Sequence, residues 1–209
     1  MLAEEGSKKK NIVLLSAVIC LFFLAVLFIS GCGTGTDYNE TSVKILKKGR
    51  IESDIVESFE ANYYNASELK DMLNKAAGEY NEKEGEKDCI SIKDIDVGKN
   101  VARAVIVYRN SSDYAKFNKV DFFYGTVSEA LAKGFDLSMM MLSIDDGGKY
   151  GFAELKNTED THIVILSEPI LVETGSEIKY VSANVEYLDE THARMSSDSA
   201  GLACIVLEK

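Results

Sequence analysis

The sequence predicts an α+β domain: mainly antiparallel sheet, with one principal amphipathic helix at about 65–84 and one or two short helices packed on it. Between residues 65 and 84, Leu69, Met72, Leu73, Ala76, Ala77 and Tyr80 recur at three- and four-residue spacing, the period of a helix with one buried face. On either side, short alternating or β-branched runs are grouped together and do not alternate strictly with helices, which favours antiparallel sheet over parallel βαβ units. Composition agrees: 46% hydrophobic and 27% charged residues suit a globular chain with a real core.

In order, residues 42–48 and 50–59 are expected as two strands joined around Gly49, with Ile51, Ile55 and Phe59 on one face of the second. The helix follows. Asn65 with Glu68 fits a capping box, with Ser67 as the rival cap, and Gly85 stands where a left-handed C-terminal residue belongs. Asp71 with Lys75 and Glu79 with Lys83 are spaced to support its outer face. Residues 89–97 and 101–108 read as a hairpin turning at Gly98-Lys99-Asn100. A short helical turn is expected at 112–118 and a strand at 120–124. Thr126-Val-Ser-Glu129 then opens a two-turn helix as a capping box. Strands are expected at 136–144, 150–155, 161–167, 170–172, 178–182, 185–188, 192–195 and 202–207, and Pro169, the only proline, at a strand start or edge.

Ahead of this domain, Lys8, Lys9 and Lys10 precede an apolar run, residues 12–29, whose only polar residue is Ser16. A charged start and an apolar run form the pattern of a secretion signal. The run is longer than the usual apolar region of a signal, about 7–15 residues, and near the lower limit of about 17–25 for a spanning helix. Length leaves both open. Ile29-Ser30-Gly31-Cys32 closes the run and resembles the lipobox of bacterial lipoprotein precursors, with Ile29 in place of the commoner leucine. The resemblance implies that the Cys32 thiol receives a diacylglyceryl group and that the chain is cut just before it. On this reading residues 1–31 are a signal peptide, 32–41 a flexible tether of small polar residues, and 42–209 a single extracytoplasmic domain; an uncleaved N-terminal helix is the alternative. Each buried methylene contributes about 0.8 kcal/mol, so two acyl chains on Cys32 anchor stably where one is marginal. Gly33 stands where some diderm bacteria carry an inner-membrane retention aspartate, leaving the outer face of a plasma membrane, or an outer membrane.

Three further segments, Asp54-Ile-Val-Glu-Ser-Phe-Glu-Ala-Asn-Tyr-Tyr64, Asp113-Tyr-Ala-Lys-Phe117 and Phe123-Tyr-Gly-Thr-Val-Ser-Glu129, look like segments of uncharacterised lipoproteins from Gram-positive anaerobes. That similarity supplies no activity and no site residues. In a bacterial protein the acceptor patterns at Asn39, Asn65 and Asn110 are chance matches.

Without residues 1–31 the chain keeps 20 basic and 32 acidic residues, a net charge of −12. Such a surface repels phosphate backbones and disfavours nucleic acid as a partner. Cys20 leaves with the signal and Cys32 is acylated, so Cys89 and Cys204 remain. A bridge between them would contribute about 4–5 kcal/mol in the chain-entropy model, yet both sit in apolar strand-like contexts where free cysteine is a common core residue.

The search for chemistry returns fragments. Ser67-Glu-Leu-Lys70 resembles the nucleophile motif of penicillin-binding proteins and β-lactamases, and Ser182-Ala-Asn184 their second motif, but no Lys-Thr-Gly strand follows. His162 and His192, with Asp160 or Glu190, hold the ligand types of a zinc site if adjacent strands bring them together; a satisfied strand histidine is the better explanation of each. Asp94, Asp96, Gly98 and Asn100 place oxygens at alternate positions as calcium loops do, without the bidentate glutamate. Asp145-Asp-Gly-Gly-Lys149 lacks the spacing of a phosphate loop. Tyr63-Tyr64 offers aromatic surface of the kind glycans use, or a corner with one ring buried. No cofactor or catalytic set is complete. The expectation is therefore a membrane-anchored, extracytoplasmic lipoprotein whose domain is a non-catalytic binding or envelope-interaction module, with an envelope or protein partner. The alternative is a small cell-envelope hydrolase acting on wall or peptide material.

Overall fold

Two consecutive left-handed residues decide where the first strand ends. Ser42–Ile45 (β1) is extended, but Lys48 (φ 64°) and Gly49 (φ 71°) reverse the chain within a 3-10 turn at Lys47–Gly49. The strand expected to reach Lys48 is cut short at Ile45, which pairs directly with Ile51. The computed structural model describes residues 40–58, 66–98, 101–155 and 159–208, all within one compact unit, Glu40–Lys209. Cys32, its lipobox, Tyr63-Tyr64, Asn65 and Asn100 lie outside the described residues.

Ile51–Ser58 (β2) leads to the long helix Ala66–Glu84 (α1). Ile90–Gly98 (β3) and Val101–Tyr108 (β4) form the expected hairpin, paired from Ile90 opposite Tyr108 to Gly98 opposite Val101. Ser111–Asn118 (α2), Phe122–Thr126 (β5) and Val127–Ala132 (α3) follow, with the Thr126–Glu129 capping box formed as expected. The remaining strands are Met140–Ser143 (β6), Lys149–Gly151 (β7), His162–Leu166 (β8), Leu171–Glu173 (β9), Ile178–Ser182 (β10), Val185–Asp189 (β11), His192–Met195 (β12) and Ala203–Leu207 (β13). The fold is mixed α+β and dominated by sheet, with thirteen strands and three α-helices among the described residues.

The strands make two sheets where one was expected. The first has seven strands in the order β11-β12-β9-β1-β2-β4-β3; the second has six, β5-β8-β13-β10-β6-β7. All pairings are antiparallel except β1 with β9, which bring Val43 beside Val172. Side-chain alternation explains the two layers. Val164, Leu166, Ile205 and Leu207 face a core shared with Val43, Ile51, Ala104 and Ile106 of the first sheet. The intervening Ile163, Ile165, Cys204 and Val206 face a second core, closed by Val127 and Ala130 of α3 and by Leu137 and Phe152. The second sheet is thus buried on both faces, as the unbroken apolar runs in β8 and β13 require.

α1 buries Leu69 and Ala77, and Ala77 enters the shared core with Leu73 and Tyr80 partly buried against it. At its end Gly85 (φ 74°) donates to the Glu82 carbonyl and Glu86 to the Asn81 carbonyl, both at 3.2 Å, the double bond of a Schellman cap. The Asn81 side chain then holds β3, bonding the Ile90 N–H and carbonyl at 2.8 Å each. On the outer face the ion pair formed is Lys75 with Glu79 (3.8 Å), in place of the expected pairs.

Three other expectations are corrected. The strand expected at 136–144 begins only at Met140, because the Asp136 carboxylate accepts from the Ser138 N–H (2.9 Å) and closes a local turn. The strand at 150–155 gives way after Gly151 to a 3-10 turn at Phe152–Glu154, whose Glu154 carboxylate accepts from the Gly151 N–H (2.7 Å). Pro169 lies in no strand; it sits in the β8–β9 connection, clear of β9, which pairs on both sides. Cys89 and Cys204 are both free and buried, one in each core. Among the described residues no helix is long and apolar enough to cross a membrane.

Candidate functional site

α2 ends at Lys119, which takes the left-handed conformation (φ 60°, ψ 43°) and donates its N–H to the Ala115 carbonyl; the Val120 N–H donates to the same oxygen (3.1 Å). Lysine is uncommon there, where glycine or asparagine usually stands. The turn swings Val120 and Asp121 against the end of β8. There the Ser167 N–H donates to the Asp121 carbonyl (3.0 Å) and the Asp121 N–H to Ser167 Oγ (3.2 Å). Between the end of α2 and the Ser167-Glu168 segment lies a shallow, open groove of about 480 Å³. Lys116 and Lys119 line one wall, Ser167 and Glu168 the other, and Ala115 and Val120 supply apolar surface.

Glu168 is the distinctive group. Its Oε2 accepts from the Tyr114 hydroxyl (3.1 Å). Tyr114 is 4% exposed, edge-on to Tyr108 at 5.0 Å and against Phe122 at 4.7 Å. Burial pushes the Glu168 carboxyl up to about 7, opposed in part by the Tyr114 hydrogen bond. Burial also raises both tyrosine hydroxyls, so they stay neutral donors. Among the described residues no cation pairs with Glu168, and the nearby Lys116 ammonium goes instead to Glu84 (3.3 Å).

The sequence-predicted residues do not meet here. Ser67 and Lys70 are exposed on α1, whereas Ser182 is buried in β10, donating to Asn184 Oδ1 (2.6 Å) and accepting from the Cys204 N–H (2.8 Å). The two halves of the β-lactamase-like pattern therefore lie on separate elements. His162 sits in β8 of the second sheet, stacked 5.2 Å from the Tyr124 ring. His192 sits in β12 of the first, its Nδ1 at 2.8 Å from Asp189 Oδ1 and its Nε2 at 4.0 Å from Glu173. They belong to different sheets, and among the described residues no three His, Cys, Asp or Glu side chains gather as metal ligands would. Asp94 and Asp96 are exposed residues of β3, held in a strand and not in a calcium loop. Asp146 closes the β6–β7 turn, its carboxylate accepting from the Gly148 N–H (2.8 Å) and the Tyr150 hydroxyl (2.7 Å). No protein-family model matches the chain, and no curated protein and no solved structure matches it.

Lys119, Tyr114 and Glu168 escaped the sequence reading. One signal was present: a lone carboxylate between the apolar runs of β8 and β9, followed at once by the only proline. A charge that cannot move far from two buried strands is a candidate for partial desolvation.

Proposed function

We propose that this is a lipid-anchored protein of the extracytoplasmic face of a membrane, held through an acylated Cys32, whose acidic domain is a non-catalytic binding module. The junction Ile29-Ser30-Gly31-Cys32 after a charged start and an apolar run carries this reading. In the sequence, a small polar stretch from Gly33 to Thr41 separates Cys32 from Ser42, where the first described strand starts. The dispersal of Ser67, Ser182, His162 and His192 over separate elements gives the hydrolase alternative no support. Intact-mass measurement of the membrane-extracted protein tests the anchor. The expected mass begins at Cys32 and includes acyl chains, while Cys32→Ala accumulates as the uncut chain. A wild-type mass that includes Met1 and no acyl group would overturn the proposal.

A further inference from the structure

We propose that the groove at the end of α2 binds a small zwitterion of the amino-acid type, its ammonium against Glu168 and its carboxylate at Lys119. This rests on the reading of the domain as a binding module and assigns that module a site. The argument begins with charge. The groove is lined by both signs: Lys116 and Lys119, with Asp121 and Glu168. A simple anion would meet the repulsion of Asp121 and Glu168. A simple cation would leave the Lys119 ammonium unused and close by. A ligand carrying both charges satisfies both walls, and Ala115 and Val120 give its carbon atoms an apolar surface.

Glu168 also lacks what such a ligand brings. Among the described residues, its one side-chain hydrogen-bond donor is the neutral Tyr114 hydroxyl. A half-buried carboxylate with no countercharge is destabilised in its charged form, and an ammonium group supplies that charge. Tyr114 of α2 donates to it, Tyr108 of β4 lies behind that ring, and Lys116, Lys119 and Asp121 line the same groove. Because only the ionised carboxylate pairs with an ammonium, and this carboxyl loses its proton near pH 7, binding is linked to proton release. Scaling by the competent fraction, affinity rises roughly eightfold between about pH 6 and about pH 7.5.

Calorimetric titration of the full-length protein in detergent tests this with four probes: alanine, alanyl-alanine, N-acetyl-alanyl-alanine and alanyl-alanine amide. Alanine, alanyl-alanine or both are expected to bind, and blocking either end of the dipeptide is expected to weaken it at least about tenfold, the loss of one charged contact. Binding by alanine as well as the dipeptide identifies a free amino acid; binding by the dipeptide alone identifies a peptide end. Glu168→Gln should remove most of the affinity and its pH dependence while the thermal melt stays cooperative. Lys119→Asn, which keeps a residue tolerant of the left-handed turn, should weaken binding without lowering Tm. Failure of both zwitterions to bind, equal binding of the blocked probes, or an unchanged affinity in Glu168→Gln would each overturn the site. The mass of the same preparation separates this from the anchor: an acylated Cys32 with an empty titration removes the groove and leaves the anchor standing.

Discussion

Two glutamates show how the same side chain is set by its surroundings. Glu129 is held below the usual carboxylate range, first by the Thr126 backbone N–H that donates to it and then by the Thr126 side chain. Glu168 is displaced the other way because burial outweighs its single hydrogen bond. The sign of the linkage follows. A carboxyl with a raised folded-state value holds its proton in the fold when the unfolded chain has released it, so its contribution is fully present below about pH 4.5 and is lost as pH rises through about 7. Glu168→Gln, which cannot ionise, should therefore gain on the wild type across that window, by roughly 1–3 kcal/mol at the alkaline end. Urea melts at several pH values measure the difference; a gap that does not widen with pH would contradict the assignment. Little of this was legible beforehand, because desolvation depends on rings that arrive from α2 and β4. The two cysteines are similar: composition left a bridge and two core thiols both open, and only the separation of the two cores decides for free thiols.

At the scale of elements, α1 is the segment the sequence described best, since one face of a helix is a local property. The stripe Leu69 to Tyr80 is the buried one, although its centre of burial lies at Leu69 and Ala77 and not at Leu73, which is partly exposed. Leu69→Ala should cost about 2–5 kcal/mol through lost transfer energy and the cavity left behind. Leu73→Ala should cost less, about 1–2 kcal/mol. Asn74 is exposed and its side chain donates back to the Lys70 carbonyl (2.9 Å), so Asn74→Ala should change stability by no more than about 0.5 kcal/mol. Urea melts of the three variants give the order directly, and a larger loss at Asn74 than at Leu69 would mean that the wrong face is buried. The β3–β4 hairpin and the Thr126–Glu129 cap were legible for the same local reason. The strand expected from Asp136 was not: its sequence suits a strand, but the Asp136–Ser138 turn competes for the backbone and wins.

At the scale of the molecule, sequence pattern showed strands without showing which of them share a sheet. Alternation places Ile51 and Ile55 on one face of β2; it does not say that Ile51 meets β4 at Tyr108 or that β1 meets β9. Those pairings are set by packing between distant segments. The clearest advance sign of two layers was the unbroken apolar runs at 163–166 and 203–207, which demand cover on both faces. The groove inherits the same difficulty, since its walls come from the end of α2 and from the turn after β8.

The parallel pairing of β1 with β9 also sets an order of assembly. β1 is the first strand among the described residues and lies in the interior of its sheet, yet its second neighbour is not made until Leu171. Everything from β2 to β8 must be synthesised before the seven strands can close, and β11 and β12 join their sheet through β9. Pairings of such long sequence separation are slow to form, so refolding after a urea jump, followed through the ten tyrosines of this tryptophan-free chain, should fall at roughly milliseconds to seconds and not in microseconds. A chain ending after Leu166 should show no cooperative melt at all. Until its last fifth is available, this polypeptide has a beginning that is waiting for its end.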